Sequence, residues 1–376
     1  MSDELPVPEA LADVTPEWLT AALTEAAVLR GGRVAAAHSE QIGQLYGFTG
    51  VIGRVRLRYE DSTVDAPPSL IAKLPMARVA ASGYHALQER DAGRRLRYFE
   101  RCAREVAFYQ RIGAAFAPDH YYSAVDDESR RVVLLLEDVS GGRQGDVLRG
   151  CSVDDAARMI DALAPFHALW WGEPAGTRGF PAWDDDPRTR QKRYAARIDS
   201  VLATPGPQDV LRILDRLRSR LGAVTEMLNL RGQTLIHGDL HLDNVVFAGD
   251  RGGRPFTALD WQTASVGPPA WDLALFLTGS LSVDDRRAAE DELLGHYVKL
   301  LATRGVRGYG ASDLRLEYRL ALLVLLAGTA FWLASVDPAE ANSRERALGD
   351  AALATDGRLV SAIRDHELEA LLDEVA

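Results

Sequence analysis

The stretch that decides the fold covers residues 234–260 and reads TLIHGDLHLDNVVFAGDRGGRPFTALD. It contains two apolar segments, residues 245–247 and 256–259, on either side of a glycine-rich turn at residues 249–253. Two apolar runs joined by such a turn predict a β-hairpin. A hairpin would fold the start of its first strand back beside the end of its second strand.

That hairpin would bring three oxygen-bearing side chains together. Asn244 stands at the start of the first strand, Asp260 at the end of the second, and Asp239 shortly before Asn244. Mg²⁺ prefers such hard oxygen ligands, usually one or two carboxylates together with substrate phosphates. We therefore expect the three groups to face one small volume that suits Mg²⁺.

The pattern resembles the catalytic loop of the aminoglycoside phosphotransferase and choline kinase-like superfamily, relatives of the protein kinases. In that superfamily the loop reads H-G-D-x-H-x-x-N and is followed by a D-x-x segment. Here the loop is HGDLHLDN at residues 237–244, and the later segment is DWQ at residues 260–262. All fixed positions match, and the interval from Asp to Asn equals that of the protein-kinase H-R-D-x-x-x-x-N motif.

The resemblance implies a role for each of these residues. Asp239 would accept or orient the proton of a substrate hydroxyl, while Asn244 and Asp260 would hold Mg²⁺ on the phosphates of ATP. An ordinary Asp has a pKa of about 3.9, so Asp239 is a weak base at neutral pH and would act mainly by positioning the acceptor. Asp272, in a segment similar to the family's G-x-P-x-x-D-L-A, would steady this loop, or serve only as an acid favoured by a helix dipole.

Two other interpretations of the loop stay open. His237, Asp239 and His241 stand at every second position, so in an extended segment they could ligate a transition metal, as in a metallohydrolase. A nucleotide-binding pseudoenzyme that acts as a regulator could also carry the motif. His241 fits a substrate contact and a structural hydrogen bond equally well, and Asp243 is predicted to be a turn residue.

The N-terminal third of the chain has strand patterns. A change of periodicity predicts strands over residues 34–42 and 51–59, the second with alternating apolar side chains, and a glycine-rich segment lies between them. Such a hairpin can lay backbone N–H groups over phosphates, and the candidate contacts are Gly47, Thr49 and Gly50.

Lys73 lies inside the next apolar strand, in the sequence SLIAKL. A buried lysine needs a partner, and its ammonium group is a compact charge that can reach a phosphate. We interpret Lys73 as the strand lysine that holds the α/β-phosphates of the nucleotide. Its partner on the following helix would be Glu105, or Glu100 in another register.

The hinge region is predicted to follow the strand RVVLLLED at residues 131–138. By the resemblance, backbone groups near Glu137 and Val139 would meet the edge of adenine. The arginine-rich insert at residues 78–101 is similar to the longer N-lobes of the ecdysteroid-kinase-like branch. This insert is consistent with a solvated helix face and with a segment that binds an anionic substrate.

Composition limits the classes of function. The 376 residues carry a net charge of −11, which argues against nucleic acid or an anionic membrane as the main partner. The two cysteines give no disulfide framework, and the N-terminus lacks a basic and apolar signal, so we expect a cytoplasmic protein. The longest apolar run, residues 320–334, is shorter than a membrane span and predicts a buried core helix.

We therefore predict an α+β, bilobal, protein-kinase-like fold, with a small β-rich N-lobe at residues 1–138 and a larger, mainly helical C-lobe at residues 139–376. No A-P-E segment follows the catalytic loop, which argues against a protein kinase. The predicted reaction transfers the γ-phosphoryl group of ATP to a hydroxyl, or less readily an amine, of a small molecule. An acidic rim at residues 184–186 would suit an amino sugar, whereas the tryptophans of the C-lobe would suit an apolar alcohol.

Overall fold

The computed structural model describes residues 5–42, 50–61, 66–75, 92–172, 177–184, 186–203, 206–249, 252–335 and 341–375. The chain forms two compact units. The first unit comprises Met1–Gly142 with Gly249–Gly253, and the second comprises Arg143–Ala248 and Arg254–Ala376.

The first unit is built on a five-stranded sheet with the strand order β1-β2-β3-β5-β4, in which all neighbours are antiparallel. Its strands are β1 (Val34–Ile42), β2 (Val51–Tyr59), β3 (Ser69–Leu74), β4 (His120–Asp126) and β5 (Arg131–Glu137). Its helices are α1 (Pro16–Glu25) and α2 (Ala92–Arg111). The strands predicted over residues 34–42 and 51–59 are confirmed, whereas β4 was not predicted.

Strand β3 lies in the middle of this sheet, and four of its six residues are buried: Leu70, Ala72, Lys73 and Leu74. Lys73 is set between Ile52 of β2 and Leu134 of β5. Helix α1 packs its apolar face on the same core through Trp18 and Leu23.

Helix α1 has a side-chain cap at its start and a left-handed residue just after its end. The hydroxyl of Thr15 accepts a hydrogen bond from the backbone N–H of Trp18 at 3.2 Å, which caps the first turn. The helix ends at Glu25, shortly before Ala27, which adopts a left-handed conformation with φ of 55° that a helix cannot continue through.

The second unit is mainly helical. Its helices are α3 (Val153–Leu169), α4 (Pro187–Ala195), α5 (Ile198–Leu202), α6 (Gln208–Leu228), α7 (Pro269–Ser280), α8 (Val283–Thr303), α9 (Ala311–Leu333), α10 (Ser343–Ala352), α11 (Arg358–Asp365) and α12 (Leu368–Glu374). Its short strands are β6 (Arg143–Gln144), β7 (Thr234–Ile236), β8 (Val245–Gly249), β9 (Gly252–Ala258) and β10 (Ser265–Gly267). Strand β10 pairs with β7, and β6, β8 and β9 form a three-stranded sheet.

Helix α9 is the one element in the described ranges that is long and apolar enough, by length and composition, to cross a membrane. More than half of its apolar stretch is buried inside this unit, where its buried positions include Glu317, Tyr318 and Leu323. A core helix meets the same criterion, and the sequence predicts a core helix over residues 320–334. The β-rich first unit and the helical second unit confirm the predicted α+β class.

Candidate active site

The predicted hairpin is present in the second unit. Strands β8 and β9 are hydrogen-bonded neighbours, and the backbone N–H of Leu259 donates to the carbonyl oxygen of Asn244 at 2.8 Å. This bond sets Asp260, the residue after Leu259, beside the start of β8. Two residues of the predicted turn, Asp250 and Arg251, lie outside the described residues.

The loop that carries Asp239 is held by helix α7. The fully buried carboxylate of Asp272 accepts the backbone N–H of His237 at 2.8 Å and that of Gly238 at 2.9 Å. Hydrogen bonds to a carboxylate are stronger than neutral ones, so this clamp fixes the peptide just before Asp239. Asp272 thus steadies the loop, as predicted, and also lies in the first turn of its helix.

Gly238 is required by this geometry. Its φ is +83°, and a Cβ atom at this position would lie 2.6 Å from the carbonyl oxygen of Thr263. Any other residue would be strained in its backbone and would displace the segment that carries Thr263.

His237 uses both ring nitrogens inside the protein. Its Nε2 donates to the carbonyl oxygen of Leu259 at 2.8 Å, and its Nδ1 accepts the backbone N–H of Asp239 at 3.2 Å. Neither nitrogen is therefore available as a metal ligand. Throughout the described residues no group of three or more His, Cys, Asp or Glu side chains is arranged to hold a metal ion. Both observations argue against the metallohydrolase interpretation.

Asn244 is oriented by its own amide group. Its Nδ2 donates to the carbonyl oxygen of Asp239 at 3.0 Å and lies 3.2 Å from Nε2 of His241. The side chain is buried, with the whole residue 5% exposed. Because the amide nitrogen is engaged, the amide oxygen is the atom that Asn244 can offer to a cation.

Asp260 has a strained backbone. Its φ and ψ are 63° and 64°, in the left-handed region, which costs a residue other than glycine on the order of 1–3 kcal/mol. Its Oδ2 accepts a hydrogen bond from Nε2 of Gln262 at 2.8 Å. A carboxylate and an amide oxygen are donors that fit Mg²⁺, which takes its other ligands from phosphate oxygens and water.

The side chain of Asp239 is 43% exposed, so its carboxylate is accessible from solvent. Its Oδ2 lies 3.7 Å from Nε2 of His241. Burial works against protonation of His241, but the carboxylates of Asp239, Asp243 and Asp260 outweigh it and raise the pKa of the imidazole above its usual range.

Asp243 has a larger role than the turn residue that the sequence predicts. It lies in a 3₁₀ turn, Leu242–Asn244, and its carboxylate also forms an ion pair with Arg344 at 2.6 Å. Nothing in the local sequence indicates this contact, since the two residues are 101 positions apart in the chain.

In the first unit, Lys73 is paired with Glu105. The Nζ of Lys73 lies 2.6 Å from Oε2 of Glu105, and the two residues are only 8% and 1% exposed. Glu100 is exposed on the same helix, so the structure decides between the two predicted partners.

The other candidate nucleotide contacts also lie in the first unit. Gly50 has a φ of +122°, and a Cβ atom there would lie 2.4 Å from the carbonyl oxygen of Pro75, so the position requires glycine. Gly47 and Thr49 lie outside the described residues.

The predicted hinge residues follow strand β5. Glu137 accepts the backbone N–H of Asp119 on its Oε2 at 3.1 Å. The carbonyl oxygen of Val139 accepts the N–H of Gly142 at 3.0 Å. Contact of these residues with adenine stays a prediction.

A pair of tryptophans lies beside the catalytic loop. The indole Nε1 of Trp271 donates to the carbonyl oxygen of Gly238 at 2.8 Å. The ring of Trp183 lies 4.7 Å from that of Trp271, centroid to centroid, and both side chains are half-buried. Gly267 allows this approach, because a Cβ atom there would lie 2.5 Å from the Cβ of Trp183. Nothing in the local sequence indicates that these two tryptophans lie beside the loop that carries Asp239.

Known structures share this fold. A protein from Ralstonia eutropha JMP134 assigned to the aminoglycoside phosphotransferases is 16% identical, over 92% of this chain and 98% of that one, with a TM-score of 0.53. The choline kinase of Cryptosporidium parvum Iowa II is 11% identical, over 90% of this chain and 91% of that one, also with a TM-score of 0.53. At such identities the similarity shows the fold, and it confirms the predicted kinase-like architecture.

The amino-acid sequence is also similar to those of known proteins. An uncharacterized kinase-like protein of Caenorhabditis elegans is 25% identical over 216 residues, and this chain spans about half of that relative, 55% of its length. The profile of the phosphotransferase enzyme family (APH) matches residues 89–309, more than half of the chain. That range contains Glu105, the catalytic loop, Asp260 and Asp272. The chain therefore belongs to the phosphotransferase enzyme family.

Proposed function

We propose that this protein is an ATP-dependent small-molecule kinase that transfers the γ-phosphoryl group to a hydroxyl of its acceptor. The observation that supports this proposal is the loop that holds Asp239, Asn244 and Asp260 in one place under the clamp of Asp272. Phosphoryl transfer depends mainly on positioning and charge, and a rigid set of oxygen ligands supplies both.

Asp239 would orient the acceptor. Its exposed carboxylate can accept a hydrogen bond from a hydroxyl, which directs the oxygen lone pair at the γ-phosphorus. The new oxygen–phosphorus bond forms as the bond from the γ-phosphorus to the β,γ-bridging oxygen breaks, and the proton of the hydroxyl passes to Asp239. Asn244 and Asp260 would hold Mg²⁺, which neutralises the charge of the phosphates when it is bound. Lys73, oriented by Glu105, would hold the α/β-phosphates.

The local contacts favour a neutral alcohol as acceptor. The carboxylate of Asp184 is paired with Arg190, and that of Asp186 accepts the backbone N–H of Thr189 at 2.9 Å as the cap of α4. Asp185 lies outside the described residues. Two of the three rim acids are thus engaged within the protein, which weakens the case for an amino sugar.

The aromatic surface near the loop also favours a neutral alcohol as acceptor. The guanidinium of Arg190 lies over the ring of Trp183, 5.0 Å from its centroid, so a cation is already stacked there. The half-buried rings of Trp183 and Trp271 offer an apolar wall beside Gly238. Such a wall suits an alcohol with a flat apolar face.

The test is ATP turnover with Mg²⁺ over a panel that pairs neutral cyclic alcohols with amino sugars. We expect turnover with a neutral alcohol, and a loss of roughly 10²–10⁴-fold in kcat for Asp239→Asn, while its affinity for the nucleotide is kept. Nucleotide binding without turnover on any acceptor would favour the pseudoenzyme. Turnover that survives Asp239→Asn would show that the role given to Asp239 is wrong.

A further inference from the structure

Arg344 connects helix α10 to the catalytic loop. Its Nη2 lies 2.6 Å from both carboxylate oxygens of Asp243 and 3.1 Å from Oδ1 of Asp146. The side chains of Arg344, Asp146 and Asp243 are 20%, 28% and 16% exposed. Ion pairs that are shielded to this extent are screened less than surface pairs, so the link is stronger than an ordinary surface bridge.

Helix α10 fixes the backbone of Arg344 independently of these contacts. The side chain of Asn342 accepts the backbone N–H of Glu345 at 2.9 Å, and the side chain of Glu345 accepts the N–H of Asn342 at 2.9 Å. This capping box sets the first turn of the helix, in which Arg344 lies.

Asp243 also accepts hydrogen bonds from a second segment, residues 144–147. Its Oδ1 accepts the backbone N–H of Val147 at 2.9 Å, and its carbonyl oxygen accepts Nε2 of Gln144 at 2.9 Å. Asp243 directly precedes Asn244 within one 3₁₀ turn. The place of Asn244 therefore depends on what holds Asp243.

We propose that Arg344 is a positioning residue that acts through Asp243 to set the place of Asn244 and so strengthens the binding of a divalent metal with its nucleotide. The metal part of this inference rests on the proposed function, whereas the positioning part does not. Without the guanidinium, the carboxylates of Asp146 and Asp243 would repel each other, and Asp243 would turn away and shift the 3₁₀ turn. Partners that orient metal ligands typically change metal affinity 10–100-fold.

The first measurement needs no ligand. Hydrogen–deuterium exchange of the backbone amides of residues 242–245 is compared in wild type, Arg344→Met and Arg344→Lys. Arg346→Gln is the matched control, because Arg346 is exposed on the same helix and forms no ion pair within the described ranges. We expect exchange at least about 10-fold faster in Arg344→Met, an intermediate rate in Arg344→Lys and no change in the control. Equal protection in wild type and Arg344→Met would overturn the inference.

The second measurement is the affinity for Mn²⁺ in the presence of a non-hydrolysable ATP analogue, followed by electron paramagnetic resonance. Arg344→Met should bind Mn²⁺ roughly 10-fold more weakly, with partial rescue in Arg344→Lys. If wild type binds no metal and nucleotide, the proposed function fails, and the exchange result still decides the positioning role. If wild type and Arg344→Met bind Mn²⁺ equally, the metal part is overturned. Asp243→Asn, which keeps the shape of the side chain, replaces Arg344→Met in both measurements if the latter does not fold.

Discussion

Lys73 shows what one buried charge demands of its surroundings. It stands in the central strand β3, where removal from water is costly, and its ammonium group lies 2.6 Å from the carboxylate of Glu105. The need for a partner could be predicted from a lysine in an apolar strand. The choice between Glu105 and Glu100 could not, because it depends on how helix α2 is rotated against the sheet, and several rotations satisfy the same apolar pattern.

The pair gives a prediction at the scale of the residue. Removing one partner of a buried ion pair leaves the other charge without compensation, so Glu105→Gln should lower the free energy of unfolding by about 3 kcal/mol. Glu100→Gln, on the exposed side of the same helix, should change it by less than about 0.5 kcal/mol. Urea denaturation of the full chain measures both. Equal stability of the two variants would show that the Lys73 charge is compensated by other groups.

At the scale of elements, the hairpin and helix α7 build the site together. Strands β1 and β2 were predicted residue for residue, and in β2 the side chains alternate between more buried and more exposed positions from residue 53 to residue 59. Strand β4 was missed because it lies at the edge of the sheet, where most of its side chains are only partly buried and the alternation is lost. The contact between Asp243 and Arg344 was missed because no local pattern links residues so far apart.

A substitution in helix α7 separates the two predicted roles of Asp272, which are to steady the loop and to complement the helix dipole. In Asp272→Asn, the amide can accept only one of the two backbone N–H groups of His237 and Gly238 and turns its own N–H toward the other. We expect kcat to fall about 100-fold or more, since the loop that carries Asp239 loses its clamp.

The control for that experiment is Asp284→Asn, which removes an exposed acid from the first turn of α8. If the helix dipole were the whole role of Asp272, the two variants would behave alike, with a loss of stability below about 1 kcal/mol and unchanged activity. A large fall in kcat for Asp272→Asn alone would support the clamp.

At the scale of the whole molecule, two acids, Asp365 and Glu317, give the stability opposite dependences on pH. Hydrogen bonds from Arg287 and Arg286, against the effect of burial, lower the pKa of Asp365 to about 2. Its contribution is therefore present above the ordinary pKa of an Asp and is lost as the pH falls toward 2. Glu317 behaves in the opposite way, because burial raises its pKa to about 7 despite hydrogen bonds from Tyr309 and Gly232.

The effect of Glu317 on the pH dependence of the unfolding free energy can therefore be measured separately from that of other groups. In the unfolded chain its carboxyl group ionises near pH 4.5, whereas in the folded protein it keeps its proton up to about pH 7. The folded state binds the extra proton between these values, so the contribution of Glu317 falls as the pH rises, by on the order of 3 kcal/mol in all.

Glu317→Gln cannot titrate and keeps a similar shape. The difference in unfolding free energy between wild type and Glu317→Gln, measured by urea denaturation from pH 4.5 to 7.5, should move by that amount in favour of the variant. Glu292→Gln, at an exposed position on α8, should give a difference that stays constant over the same range. A constant difference for Glu317→Gln as well would mean that its carboxyl group is already ionised in the folded protein at low pH, held by Tyr309, the N–H of Gly232 and the nearby charge of Arg231.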